Sequence, residues 1–157
     1  MAKKRKALTY SQMVKKALAK AKRQANPAAA KMAKKKRLES FADSMSDKMT
    51  APEKVFSDVM EELEVECECQ KVIGNKIFDF YIPSKNMIVE IHGDYWHANP
   101  LIYENKELNK TQIRNVKNDK FKTTLAKGSG YSFYVLWEYD LNNNYEEKKE
   151  EFIRLWK

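Results

Sequence analysis

Residues 88–100 read IVEIHGDYWHANP and contain both of the histidines in this 157-residue chain. His92 and His97 bracket Gly93-Asp94-Tyr95-Trp96, and Glu90 precedes His92 by two residues. An imidazole titrates near neutrality, so two of them beside carboxylates suit general acid and general base work. A further acid, Asp79, lies in the preceding apolar run KIFDFYI. If Ile82 pairs with Met87 across the turn Pro83-Ser84-Lys85-Asn86, Asp79 falls opposite Glu90, and His92 follows on the same face. A loop with an odd number of residues would instead set Asp79 against an apolar residue. Carboxylates directly opposed across a sheet repel each other. A divalent cation with oxygen ligands turns that repulsion into a binding site. The plainer alternative is a pair of solvated acids on an open sheet face, but Asp is poorly suited to a strand between Phe78 and Phe80.

These groups need elements to position them. TAPEKVFSDVMEEL, from Thr50, has a capping-box pattern in Thr50 and Glu53, with Pro52 in the first turn. Val55, Phe56, Val59, Met60 and Leu63 then make one apolar stripe of a helix. Three strand-like runs follow, VECECQKVI, KIFDFYI and MIVEIH, separated by Gly74-Asn75 and by the PSKN turn. A mixed segment over residues 104–127 reads as a helix and stops at GSG, YSFYVLW reads as a strand, and YEEKKEEFIRLWK closes as a helix. The expected class is therefore α/β with a mixed sheet, in the order α-β-β-β-α-β-α. Cys67 and Cys69 are the only cysteines, and a Cys-x-Cys pair is neither a disulfide framework nor a typical zinc spacing. Both read as small buried groups on one strand face in a reducing, cytoplasmic setting. No apolar run approaches the roughly 20 residues of a membrane span.

The net charge of +8 is unevenly spread: residues 1–37 hold 14 of the 30 Lys and Arg and none of the 22 acids. The other 120 residues hold 16 basic and 22 acidic side chains, a balance of −6. Residues 1–49 thus read as a basic, helical arm, interrupted at Asn26-Pro27, and residues 50–157 as a mildly acidic body. An all-basic helix needs a polyanion to neutralise it, and nucleic acid releases counterions when its phosphates are paired. The arm residues expected to meet DNA are Lys3, Lys4, Arg5, Lys6, Lys15, Lys16, Lys20, Lys22, Arg23, Lys34, Lys35, Lys36 and Arg37. A solubilising tail is the competing reading.

The spacing of Asp79 to Glu90-Ile91-His92, on adjacent strands after a helix, resembles the PD-(D/E)XK nuclease core, with histidine where that superfamily usually has lysine. HGDYWH is similar to the equivalent segment of the very-short-patch repair (Vsr) endonucleases. The pattern Glu53, Asp79, His92-Gly93-Asp94 resembles the EDxHD homing endonucleases, the phage-borne branch of that group. The likeness spans residues 50 to about 145 and leaves the arm uncovered.

This resemblance implies a restriction-endonuclease-like catalytic domain that hydrolyses phosphodiester bonds of double-stranded DNA with Mg2+, or with Mn2+ in its place, and no small-molecule cofactor. It implies that Asp79 is the central metal ligand, with the Ile91 carbonyl, Glu90 and Glu53 around it. His92 would orient or activate water, His97 would serve the leaving oxygen, and Asp94 would be an added metal or histidine-orienting acid. Tyr95 and Trp96 would wedge into the base stack, or else pack their loop against the body. Gln70, Arg114, Asp119 and Lys120 could meet the site or the DNA backbone, though a solvated face fits them equally. The expected function is a homing-type endonuclease of a phage or mobile element, acting in the cytoplasm of its host cell as monomer or dimer. A mismatch-nicking repair enzyme and a non-catalytic DNA-binding protein are the alternatives.

Overall fold

The computed structural model describes residues 10–45 and 48–156. The chain falls into two units, one up to Arg37 and one from Leu38, so the basic run coincides with the first. Helix α1 (Tyr10–Ala25) ends before Pro27, which opens α2 (Pro27–Met45) with Asn26 Oδ1 accepting from the Ala29 N–H at 3.0 Å. Lys15, Lys16, Lys20, Arg23, Lys34, Lys35, Lys36 and Arg37 are all exposed. Lys3, Lys4, Arg5 and Lys6 lie outside the described residues, as does the side chain of Lys22.

In the second unit, α3 (Ala51–Glu62) precedes β1 (Glu68–Ile73), β2 (Lys76–Ile82) and β3 (Met87–His92). Two short helices, α4 (Asp94–His97) and α5 (Pro100–Tyr103), lead to α6 (Lys110–Gly128), β4 (Ser132–Trp137), α7 (Glu138–Asn143) and α8 (Tyr145–Trp156). The sheet order is β1-β2-β3-β4, with β1–β2 and β2–β3 antiparallel and β3–β4 parallel. This is the mixed α/β class expected, with the expected helices and strands in sequence and three short helices, α4, α5 and α7, added between them. No helix among the described residues is long and apolar enough to cross a membrane.

Several details differ from the expectation; β1, for one, begins at Glu68 and not at Val65. The helix expected from residue 104 begins at Lys110, because Asn109 and Gln112 form a reciprocal capping box there. His97, expected in a loop, ends the four-residue helix α4. Helix α7 was not anticipated, since its Tyr139 N–H is met by the distant Asp94 carboxylate, at 3.3 Å.

The sheet separates two apolar clusters. Phe56, Val59, Met60 and Phe152 pack with Phe80, Ile82, Val89 and Ile91 on the α3 and α8 side. Ala126 of α6 packs with Ile73, Phe78 and Ile88 on the other. Burying a side chain of this size contributes about 1.5–3 kcal/mol, so each cluster anchors its helices firmly. Cys67 and Cys69 both pack against the first cluster, as half-buried free thiols.

Residues two apart in a regular strand share a face, yet Phe78 and Phe80 belong to opposite clusters. Strand β2 therefore changes face at Asp79. Strand β1 does the same at Gln70, since Cys69 packs on the first cluster and Ile73 on the second. Gln70 has a left-handed φ of 54°, a conformation that L side chains adopt at a cost. Because both strands turn over at facing positions, Cys69↔Phe80 and Lys71↔Phe78 keep one register.

The left-handed backbone at Gln70 generates a prediction. Gln70→Gly should hold or raise the melting temperature, and Gln70→Val should lower it by about 1–3 kcal/mol in stability. At about 2–4 °C per kcal/mol for a chain of this size, thermal denaturation resolves the two. Equal melting temperatures would remove the strain from this account.

Candidate active site

The hairpin has the expected register, Ile82↔Met87, Tyr81↔Ile88 and Phe80↔Val89. There the regular ladder stops. The next backbone groups are met by side chains: Ile91 N–H donates to Asp79 Oδ2 at 2.9 Å, and Asp79 N–H donates to Glu90 Oε1 at 3.4 Å. Each acid thus fills a place that a carbonyl would hold in an unbroken sheet. The two carboxyls are drawn into the seam between the strands instead of standing on an open face.

Glu53 approaches from the first turn of α3. Its Oε2 accepts from the Thr50 N–H at 2.8 Å, so it caps its helix, and it also lines a cleft of about 400 Å³ with Asp79, Glu90, Ile91, His97, Lys122 and Glu138. The capping role and the site role proposed for Glu53 are compatible in one geometry. Lys122 of α6, which no sequence motif singled out, lies with Nζ 2.5 Å from Glu90 Oε2.

Electrostatics in the cleft favour an added cation. Glu90 is 3% exposed, and burial pushes its carboxyl up to about 8, with the nearby Asp79 adding to the rise and Lys122 opposing it. Burial also raises the Asp79 carboxyl, against the pull of Lys122 and the Ile91 N–H. A desolvated pair of this kind holds either a proton or a metal ion. Besides these acids, the imidazole of His97 and the ammonium of Lys122 line the cleft.

The histidines divide their places. His97 lines the carboxylate cleft, and its Nδ1 lies 2.7 Å from Asp119 Oδ2. A carboxylate only accepts, so Nδ1 carries the proton and Nε2 is left for another partner. His92 does not line the cleft; it is buried behind His97 in a neighbouring cavity of about 530 Å³ with Asp119 and Trp137. The two imidazoles stack with centroids 4.1 Å apart and planes 12° from parallel. Burial first, and then the adjacent His97, lowers the His92 imidazole to about 4, which keeps it neutral near pH 7. His92, His97 and Asp119 also bring potential ligand atoms within 4.8 Å of one another. The rings are nearly parallel, so their in-plane nitrogen lone pairs lie in separate planes.

Asp94 borders the cleft through its backbone, its N–H donating to Glu138 Oε2 at 3.2 Å, while its carboxylate is held elsewhere. Its Oδ1 accepts from Asn99 Nδ2 at 2.7 Å and from the Tyr139 N–H at 3.3 Å. The acid that orients a histidine is Asp119, while Asp94 ties α4 to α7. Two buried amides complete this frame: Asn99 holds Asp94, and Gln112 Nε2 donates to the Tyr95 carbonyl at 2.8 Å. The Trp96 carbonyl accepts from Asn115 Nδ2 at 2.9 Å. With their backbone pinned to α6, the Tyr95 and Trp96 rings stay 53% and 57% exposed.

No protein-family model matches the sequence, and no curated protein matches it significantly. Among solved structures, the chain is similar to the catalytic domain of the homing endonuclease I-Bth0305I, with a TM-score of 0.48 and 22% identity over 66% of this chain and 91% of that one.

The raised Glu90 carboxyl predicts a linked pH and metal dependence. Its folded value lies above the ordinary 4.5, so its contribution to stability is present below about pH 4.5 and is lost as pH rises through about 8. A divalent cation on the carboxylates removes that loss. The melting-temperature gain from Mg2+ or Mn2+ should therefore be larger at about pH 8.5 than at about pH 5.5. A metal-induced shift that does not grow with pH would contradict this account of the cleft.

Proposed function

We propose that the chain is a divalent-metal-dependent DNA endonuclease that hydrolyses phosphodiester bonds. The observation that carries the reading is the convergence of Glu53, Asp79 and Glu90 on one cleft, with the Asp119-oriented His97 at its wall. Asp79, Glu90, Glu53 and the Ile91 carbonyl would hold the cation. A divalent ion bound there supplies Lewis acidity toward phosphate and water. His97 exchanges the proton through Nε2, its tautomer set by Asp119. His92, neutral and stacked on His97, keeps that ring in place.

Substrate contact divides between the two units. The cleft is lined by four acidic side chains, of Glu53, Asp79, Glu90 and Glu138, against the one ammonium of Lys122, and a bound cation would draw DNA to it. The exposed cations of α1 and α2 supply the opposing attraction, and Arg23, Lys31, Lys34 and Arg37 line a common groove of about 660 Å³. Lys15, Lys16, Lys20, Lys35 and Lys36 extend this charge, together with Lys22 and the N-terminal Lys3, Lys4, Arg5 and Lys6. Tyr95 and Trp96, exposed on a pinned segment beside the cleft, fit a wedge that props open a base step.

A supercoiled plasmid incubated with Mg2+ or Mn2+ tests the reading. Nicked or linear product, blocked by EDTA, is expected. A chain that binds the plasmid yet leaves it supercoiled with either ion is a DNA-binding module instead. Cutting of matched duplex at mapped, repeated positions supports a homing-type role in a phage or mobile element, whereas cutting that requires a mispair supports repair.

Asp79→Asn should keep the fold and DNA binding but reduce cleavage at least about 100-fold, because the ligand charge is lost while the shape is kept. Single-turnover rates beside melting curves check this, and full activity in the variant would sink the metal mechanism. Deleting residues 1–37 should weaken binding and flatten the slope of log K against log salt, since each phosphate no longer neutralised removes about 0.9 from it. An unchanged slope would place the DNA contacts elsewhere.

A further inference from the structure

The cavity next to the carboxylate cleft shares His97 with it as a common wall. It lies beyond the carboxyl ends of the parallel strands β3 and β4, whose last residues, His92 and Trp137, are register partners. Ligands of parallel sheets gather at this end of the strands, and the crossover helix, here α6, closes one side. Three rings line the cavity: His92 and His97 are stacked, and Trp137 stands edge-on to His92 with centroids 5.1 Å apart. Val116 and Pro100 add apolar wall. Polar groups come from α6, where Thr123 and Thr124 also line the cavity. Their hydroxyls donate at 2.9 Å to the main-chain carbonyls of Asp119 and Lys120, so each oxygen keeps lone pairs for an incoming donor. The exposed Lys120 adds an ammonium, which only donates. At about 530 Å³ the cavity falls within the roughly 300–1,000 Å³ of small-molecule sites.

We propose that this cavity receives one nucleobase of the DNA, unstacked from the duplex beside the scissile phosphate. This rests on the endonuclease reading. A nucleobase is a flat heteroaromatic ring whose faces stack and whose edge carries both donors and acceptors. The three rings suit its faces, and the threonine hydroxyls and Lys120 suit its edge. A phosphate fits less well, because the Asp119 carboxylate lines the same space and repels it. Position favours a base of the bound duplex over a free nucleotide. The cleft on the other side of His97 is where the phosphodiester is cut on that reading, and the exposed Tyr95 and Trp96 rings adjoin it. Opening a base step uncovers the faces of a base, and stacking on aromatic side chains in a cavity offsets that cost. Because every base has a π-face, the rings accept any of the four, and the polar groups of α6 set the preference among them. The step moves a base and changes no covalent bond.

The test uses the full-length chain and a duplex built around one cut position mapped on plasmid DNA. Further duplexes replace each nucleotide close to the cut, on either strand, by an abasic residue. Single-turnover cleavage is measured at saturating DNA and metal for the parent, Val116→Phe and Thr124→Trp, the two variants being chosen to fill the cavity. Thr124 is exposed, so Thr124→Trp carries the test should Val116→Phe fail to fold. On the intact duplex both variants should cut about tenfold or more slowly than the parent. At one abasic position that difference should disappear, because no base remains to be housed, and parent and variant should cut that duplex at similar rates. A merely structural role would slow every duplex alike. Variants that cut the intact duplex at the parent rate overturn the proposal, as does a loss of rate that no abasic position relieves. A parent chain that leaves the plasmid uncut overturns the endonuclease reading and this proposal with it.

Discussion

The seam between β2 and β3 beyond the Phe80↔Val89 pair is the constraint on which the site depends. A sheet interior requires every backbone N–H to find an acceptor, and here two acidic side chains provide the acceptors. That solution holds the carboxyl groups of Asp79 and Glu90 at fixed places and out of bulk water, which raises the cost of their second negative charge. Lys122 offsets part of that charge. The electrostatics of the cleft therefore follow from how the sheet ends its ladder.

The paired reversal at Gln70 and Asp79 makes this possible. If β2 kept its alternation, Phe78 and Phe80 would share a face and one cluster would lose an aromatic ring. Turning over at Asp79 lets both rings be buried, Phe80 at 4.7 Å from Phe56 and Phe78 at 6.4 Å from Phe133 by ring centroids. The left-handed Gln70 lets β1 follow without losing register. Backbone strain at a facing residue and burial of two phenylalanines are thus coupled to the placement of one carboxylate. Strain of this kind persists where surrounding packing over-determines it.

Helix α6 is the second organiser. One of its faces supplies Asp119 and Lys122 to the two halves of the site, and its buried Gln112 and its Asn115 secure the backbone of the Tyr95-Trp96 segment. A shift of this helix would move the histidine orienter, the ammonium and the aromatic pair together. Residues 38–157 carry an acidic balance, whereas the charged side chains of residues 1–37 are all basic.

Much of this was legible in the sequence alone. Alternation and turn chemistry in KIFDFYI-PSKN-MIVEIH set the hairpin register, and with it the meeting of Asp79 and Glu90, because a short loop leaves few pairings open. The capping pattern placed Glu53 at a helix start, and the one-sided charge marked the arm. All of these are local properties, recorded within a few residues of each other. Lys122 and Asp119, by contrast, look like polar positions of a solvated helix, and only the packing of α6 on the sheet turns them inward. The sequence offers Asp94 and His92 beside the cleft, and tertiary contacts set the Asp94 carboxylate against the Tyr139 N–H and stack His92 on His97. Which of two adjacent polar groups faces a cavity depends on what covers the other. That is decided by segments distant in the chain, and no spacing within one motif encodes it.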